Sequence, residues 1–298
     1  MEIDGTDVRI VEVALNGATT REANPHVPRS PSEIAQDALA CVRAGAAIVH
    51  NHNDEPMWVP DGVHAAAPYL EAWRPIRAAH PDVLLYATMA SGGPGIAIET
   101  RWAHHVALAR SGIDAMGLVD PGSVTLGTLD DAGLPTAVDQ VYVNTFADTR
   151  YMVRRCAELG LAPSISIFDP SFLRVALAVH EAGALPAGAL IKLYLGGRMV
   201  FGLPPTEASL DAYLAMLEGS GLPWLVAVQG GDVVATGVAE AALQRGGHLR
   251  VGLEDYAGER TPRNRELVEE VVALIESGRR RAATPAQARA ILGLAATA

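Results

Sequence analysis

Lysine is almost missing from this chain of 298 residues: of its 23 basic residues only Lys192 is a lysine, and the rest are arginine. We read that imbalance as compositional bias. Cysteine is scarce too. Cys41 and Cys156 stand far apart in sequence, and Cys41 lies in the apolar run Ala38-Leu39-Ala40-Cys41-Val42. Both are expected to be buried, reduced and structural, which fits the cytoplasm. Positive charge is in deficit, with a formal net charge of -11. That disfavours nucleic acid and anionic membrane as partners, since both need a basic surface. Charged residues make up only 19% of the chain against 49% hydrophobic, which excludes a disordered protein. No apolar run reaches the roughly 18 residues of a membrane helix. The start, Met1-Glu2-Ile3-Asp4, is acidic and lacks the apolar stretch of a signal peptide. The length suits two domains or one α/β barrel of the usual size.

What is present is a repeating strand–helix unit. Val8 to Leu15 reads as a first strand, followed by the polar loop Asn16-Gly17-Ala18-Thr19-Thr20-Arg21. Ser30, Pro31 and Glu33 predict a helix start with a capping box, and the helix runs to about Arg43. The second strand, Ala46 to His50, is a β-branched apolar run ending in His50-Asn51-His52. Further strands are predicted at Val83–Thr88, Ala115–Val119, Ser164–Phe168, Leu190–Tyr194, Trp224–Val228 and Leu249–Leu253. A helix follows each one. An irregular insertion after the fourth strand holds Val141-Tyr142-Val143, expected as a short extra strand, and Asp148 as the cap of the next helix. Thr261-Pro262 and Thr284-Pro285 open two terminal helices. Eight such units specify a (β/α)8 TIM barrel, a single domain over residues 1–298. A doubly wound open sheet is the alternative. It is less well supported, because Asn16-Gly17-Ala18 is not the G-x-G-x-x-G of a dinucleotide fold.

In such a barrel all strand ends meet at one mouth, where active sites sit. Successive strand side chains alternate between faces, so His50 and His52 point the same way while Asn51 turns aside. Two imidazoles on one strand end make half of a metal site. The last strand neighbours the first in a closed barrel, so its exit comes close to this pair. By the period of two, Arg250, Gly252 and Glu254 share its inner face. The set His50, His52 and Glu254 has the donors of a catalytic zinc with an open position. Each residue also has a plainer reading. A histidine at a strand end can be a satisfied core residue. Glu254 and Asp255 can be solvated loop acids. Arg250 can be a buried ion pair with either of them, or a clamp on a substrate carboxylate, or an aid to Asp255 as a base. His64, His80, His104, His105 and His180 read as structural.

With these residues in hand, the chain resembles the β-keto acid cleavage enzymes, the family of the 3-keto-5-aminohexanoate cleavage enzyme. The resemblance spans nearly the whole chain. It rests on Asn16-Gly17-Ala18, Val49-His50-Asn51-His52, Ser91-Gly92-Gly93, Gly246-Gly247-His248-Leu249-Arg250-Val251-Gly252-Leu253-Glu254-Asp255 and Ala283-Thr284-Pro285. It implies a barrel that holds zinc or a similar divalent metal on His50, His52 and Glu254. It implies acetyl-CoA as co-substrate, and a reaction that turns a β-keto acid and acetyl-CoA into acetoacetate and a new acyl-CoA. Asp255, oriented by Arg250, would be the base. Asn16, Thr19, Ser91, Gly92, Gly93, Asp120 and Asp169 would face the substrate. Family relatives form homo-oligomers, commonly tetramers.

The chain departs from the family where a substrate would be read. The first loop runs Ala18-Thr19-Thr20, where relatives carry a glutamate for an amino group. The third-strand exit reads Ala90-Ser91-Gly92-Gly93 in place of Ser-Thr-Gly-Gly. The fourth strand ends Leu118-Val119-Asp120, where threonine and asparagine are usual, and Asp169 replaces a glutamate. Arg21, Arg150, Arg198 and Arg260 lie near loops, but no phosphate motif marks a CoA site. Two other readings of the same residues are a metal-dependent hydrolase or aldolase on this barrel, and a metal-bearing barrel that only binds a ligand.

Overall fold

The computed structural model describes residues 7–56, 58–59, 61–91, 95–113, 116–136 and 141–295. Eight strands form its centre: β1 Val11–Ala14, β2 Ile48–Asn51, β3 Leu84–Ala87, β4 Met116–Val119, β5 Ala162–Ile167, β6 Leu190–Gly196, β7 Trp224–Gln229 and β8 His248–Val251. They run parallel in the order β3-β2-β1-β8-β7-β6-β5-β4. β3 and β4, at the two ends of that order, lie side by side. The sheet is thus a nearly closed barrel wrapped by helices, the (β/α)8 architecture expected from the sequence. Strands such as Leu84-Leu85-Tyr86-Ala87 are buried on both faces, one against helices and one in the barrel interior, which is why they read as continuous apolar runs.

The helices are α1 Pro31–Ala44, α2 Ala67–Ala79, α3 Ile98–Arg101, α4 Ala103–Arg110, α5 Phe146–Leu159, α6 Pro170–Glu181, α7 Glu207–Leu217, α8 Val238–Gln244, α9 Asn264–Ser277 and α10 Pro285–Ile291. α1 starts where expected, with Ser30 and Glu33 closing both halves of a capping box. Several boundaries differ from the sequence reading. The single helix expected after the third strand is broken at Trp102 into α3 and α4. α5 is capped by Thr145, whose hydroxyl accepts from the Asp148 N–H while Asp148 reaches back; Asp148 is the third helical residue and not the cap. Val141-Tyr142-Val143 makes no strand, only an isolated bridge between Tyr142 and Val124. α9 begins two residues later than predicted, capped by Arg263. Val8–Arg9 leaves the barrel and pairs with Arg281–Ala282, tying the two chain ends together beneath it. Cys41 and Cys156 are buried and free. Among the described residues no helix is long and apolar enough to cross a membrane.

Candidate active site

His50 is the third residue of β2 and His52 follows one residue past its end. Their side chains share the barrel interior, with ring centroids 5.2 Å apart. Asn51 between them turns outward, where its Oδ1 accepts the Trp73 indole N–H at 2.8 Å. Asn16, at the exit of β1, holds the position of His52. Its amide donates to the carbonyls of Pro28 (3.1 Å) and His52 (3.0 Å), and its oxygen accepts from the N–H groups of His52 (2.8 Å) and Gly17 (3.0 Å). All four hydrogen-bonding positions of that side chain are taken. Asn16 therefore sets backbone geometry at the site and has nothing left to offer a substrate.

Glu254 reaches the histidines by a route the alternation of strands did not describe. β8 ends at Val251, and Gly252 then turns the chain at φ +140°, its α-carbon pressed so close to the Ala14 backbone that a side chain has no room. The turn carries Glu254 back over β1, where it packs against Gly17. Its Oε2 lies 3.1 Å from His50 Nε2 and 3.6 Å from His52 Nε2. One ligating atom from each of the three residues falls within 4.8 Å of the others.

The proton positions give this cluster its meaning. His50 Nδ1 sits 3.2 Å from the Tyr86 carbonyl, which can only accept, so Nδ1 bears the proton and Nε2 presents a lone pair. Burial pushes the His50 pKa down to about 4, so the ring is neutral near pH 7. Burial also works against the Glu254 carboxylate, but His50, Arg250 and His52 outweigh it and hold its pKa well below the ordinary value. A neutral His50 offers no charge, so Arg250 is the partner that keeps Glu254 ionised. The result is a bare nitrogen facing a bare carboxylate oxygen, and Glu254 Oε2 closes no hydrogen bond. Two acceptors at this distance repel unless a cation lies between them. The donor set and its orphaned oxygen fit a divalent ion of the zinc type.

Arg250 organises the acids below. It makes five hydrogen bonds: Nε and Nη2 to Asp255 (2.8 and 3.1 Å), Nη2 to Glu254 (2.9 Å), and Nη1 to Glu12 (2.9 Å) and the Tyr86 hydroxyl (2.8 Å). No donor remains for a substrate carboxylate, so the ion-pair reading of Arg250 holds and the clamp reading does not. Glu12, wholly buried in β1 and opposite Arg250 in the register, also accepts a hydrogen bond from the Tyr86 hydroxyl. Burial raises the Asp255 pKa to about 6 against the pull of Arg250. Asp255 faces a small crevice with Gly231, Asp232 and Tyr256. The cavity beside the histidines is lined by Glu254, Thr88, Asp120, Tyr142, Lys192 and Tyr194, among others.

The remaining predicted residues divide. Asp120, at the exit of β4, is in the cavity wall, with Oδ2 accepting from the Tyr142 hydroxyl at 2.5 Å. Thr19 ties its loop to the β8 exit by donating to the Leu253 carbonyl at 2.5 Å. Ser91 is buried and bridges Trp58, outside that cavity's lining. Asp169 caps α6 by accepting the Ser171 N–H at 2.8 Å. Gly92 and Gly93 lie outside the described residues. His104 and His105 both point at the Thr88 carbonyl and are structural.

The family model described as BKACE, beta-keto acid cleavage enzyme, matches residues 9–294. The chain belongs to the β-keto acid cleavage enzymes. It is therefore an enzyme of the kind that cleaves carbon–carbon bonds and transfers acyl groups. Relatives include the 3-dehydrocarnitine:acetyl-CoA trimethylamine transferase of Rhizobium meliloti, 30% identical over 90% of each chain. The 3-keto-5-aminohexanoate cleavage enzyme of Fusobacterium nucleatum is 29% identical over 96% of this chain and 97% of its own. The 3-oxoadipate:acetyl-CoA acetyltransferase of Cupriavidus necator is 30% identical over 96% and 94%. Among solved structures, the complex of ObcA with oxaloacetate superposes with a TM-score of 0.70 over 91% of this chain and 68% of that one; at 16% identity it shows the fold alone.

In this β-keto acid cleavage enzyme the sequence reading missed Glu12, Tyr86, Tyr142 and the orientation of Lys192. Glu12 had a signal, a lone acid in the apolar strand Val11-Glu12-Val13-Ala14. Tyr86 and Tyr142 had none, because an aromatic in a strand or loop reads as core.

Proposed function

We propose that the chain is a zinc-type, metal-dependent β-keto acid cleavage enzyme that takes a β-keto acid and acetyl-CoA to acetoacetate and a new acyl-CoA. One observation carries it: His50, His52 and the unbonded Glu254 Oε2 converge at the mouth of a barrel of this family. The names of the relatives, two of which specify acetyl-CoA, support the second substrate. The residues that would hold the ion are His50, His52 and Glu254, and when bound it supplies Lewis-acid polarisation of the keto acid.

The chain's own residues have distinct tasks in this reading. Asp255 takes the proton from the carbon between the keto group and the carboxylate. Its pKa near 6 suits a base at neutral pH. To act, its carboxylate must release one of its two bonds to Arg250 and turn toward the cavity. Arg250 limits that movement and stays charged in the barrel floor. The carbanion then attacks the acetyl thioester and the C–S bond breaks to release CoA. The CoA thiolate adds to the original keto carbon, the C–C bond from that carbon to the central carbon breaks, and acetoacetate leaves after the central carbon is protonated. The departures at Ala18-Thr19-Thr20 and Asp120 set which keto acid is accepted. The test is a screen of β-keto acids with acetyl-CoA on zinc-loaded protein, reading acetoacetate. Product that needs both substrates and is lost on chelation is expected. Hydrolysis of a lactone or amide with no need for acetyl-CoA would overturn the reading.

A further inference from the structure

Lys192 is the only lysine among 23 basic residues. It is also among the most deeply buried large side chains, 1% exposed, inside the barrel on β6. It lines the same cavity as His50, His52 and Glu254. Its Nζ donates to the Tyr86 hydroxyl at 3.0 Å, the same oxygen that accepts from Arg250 Nη1 at 2.8 Å. Among the described residues no carboxylate closes an ion pair with it. Burial presses its pKa down to about 8; Glu12, Asp120 and Glu254 resist, while the neighbouring cation Arg250 adds to the fall. An amine desolvated beside a second cation is partly free near neutral pH, which is the condition for nucleophilic attack on a carbonyl. A guanidinium has no such free form, so arginine does not replace lysine here as it does at every other basic position.

Asp120 supplies the second half. It is 4% exposed in the same cavity wall, and its Oδ1 closes no hydrogen bond while Oδ2 accepts from Tyr142. Burial raises its pKa above the ordinary carboxylate range, against the lowering pull of Lys192 and Tyr142.

We propose that Lys192 forms an imine with the keto group of a bound β-keto acid and gives the chain a second activity, decarboxylation without acetyl-CoA. The inference rests on the preceding reading only in taking β-keto acids as the compounds this cavity admits. The Lys192 amine attacks the keto carbon, a C–N bond forms, and with one proton taken up from solvent the keto oxygen leaves as water, so that an iminium remains. The bond from the carbon chain to the carboxylate breaks, CO2 departs, and its electron pair moves into the iminium to give an enamine. Asp120 delivers a proton to the enamine carbon. Water then adds to the iminium, the C–N bond breaks, a ketone, the free amine and the proton taken up in the first step are released, and a proton from solvent restores Asp120. No oxidant or reductant takes part.

The probe is acetoacetate, which the proposed transfer itself produces. The zinc-loaded chain is incubated with acetoacetate, treated with sodium borohydride and mapped by peptide mass. A secondary amine on Lys192, which also blocks tryptic cleavage there, is expected, together with CO2 release above the spontaneous rate in the absence of acetyl-CoA. Lys192→Arg should lose the adduct and about 100-fold or more of that release. Because that variant can fail by unfolding, Lys192→Met is followed by thermal melting beside it, and the adduct on the unaltered chain stands on its own. Absence of any adduct at Lys192, or an adduct confined to the chain's α-amino group, overturns the imine. Acetyl-CoA-dependent transfer with no adduct sinks this inference alone; an adduct with no transfer sinks the other reading alone.

Discussion

Arg250 grips Asp255 in a fork, Nε to Oδ2 at 2.8 Å and Nη2 to Oδ1 at 3.1 Å, inside the barrel wall. Both are nearly sealed from solvent. Such a bidentate pair fixes the carboxylate plane and keeps it from wandering as a solvated acid would.

If Asp255 is the base, Asp255→Asn should cut acetoacetate formation by about 10²- to 10⁴-fold, the usual worth of a positioned base. Zinc content should stay that of the parent, since the proposed metal donors are His50, His52 and Glu254. Turnover retained in that variant would remove Asp255 from the role.

His50→Ala and His52→Ala should each lose bound zinc on dialysis while the parent keeps it, measured by elemental analysis. Far-UV circular dichroism should show the barrel intact in both. Undiminished zinc in either variant would mean that the ion binds elsewhere.

Gly17 stands at φ +51° with its α-carbon against the Glu254 side chain. Gly17→Ala places a methyl group on Glu254 Cγ and adds about 1–2 kcal/mol for the left-handed backbone. Glu254 should be displaced, so zinc affinity and turnover fall together and the melting temperature drops modestly. Parental zinc affinity would show that the turn after β8 adjusts without moving the carboxylate.

Asp37 on α1 is half-buried and accepts from the Asn264 amide at 2.6 Å, away from the proposed metal donors. Burial raises its pKa from 3.8 to about 6, against the smaller opposite pull of Asn264. An acid raised on folding costs nothing when both states are protonated. Its penalty grows as pH rises through the unfolded and then the folded value, and is complete above both. The penalty is about 3 kcal/mol at most. Asp37→Asn should therefore raise stability to urea at about pH 8 and change it little at about pH 4. Equal effects at both pH values would contradict the shift.

Much of this was legible in the chain itself. The eight strand–helix units, the Ser30–Glu33 cap of α1 and the histidine pair at the end of β2 follow from local periodicity and capping chemistry, which act over a few residues. Glu254 was placed at the site for an incomplete reason. It arrives through the turn at Gly252 and not by strand alternation, because the close approach of Ala14 is a contact between β1 and β8 that no local pattern encodes. Asn16 illustrates the same limit. Its place in a polar loop suggested substrate contact, yet its side chain is saturated by backbone groups, one on the adjacent Gly17 and three on the distant Pro28 and His52, so it braces the backbone around His52.

The sequence alone pointed to the barrel through its strand–helix units and to the family through its motifs, and it singled out His50, His52, Glu254, Asp255 and Arg250 as candidates, since each sits in a short run at a strand end. Only the tertiary structure decided what those residues do to one another. It put Glu12 and Tyr86 on Arg250, left Glu254 Oε2 without a hydrogen bond, and turned Lys192 and Asp120 into the cavity. The reason is that hydrogen-bond saturation and burial depend on neighbours from other strands, and a strand's own sequence records which way a side chain points but not what it meets there.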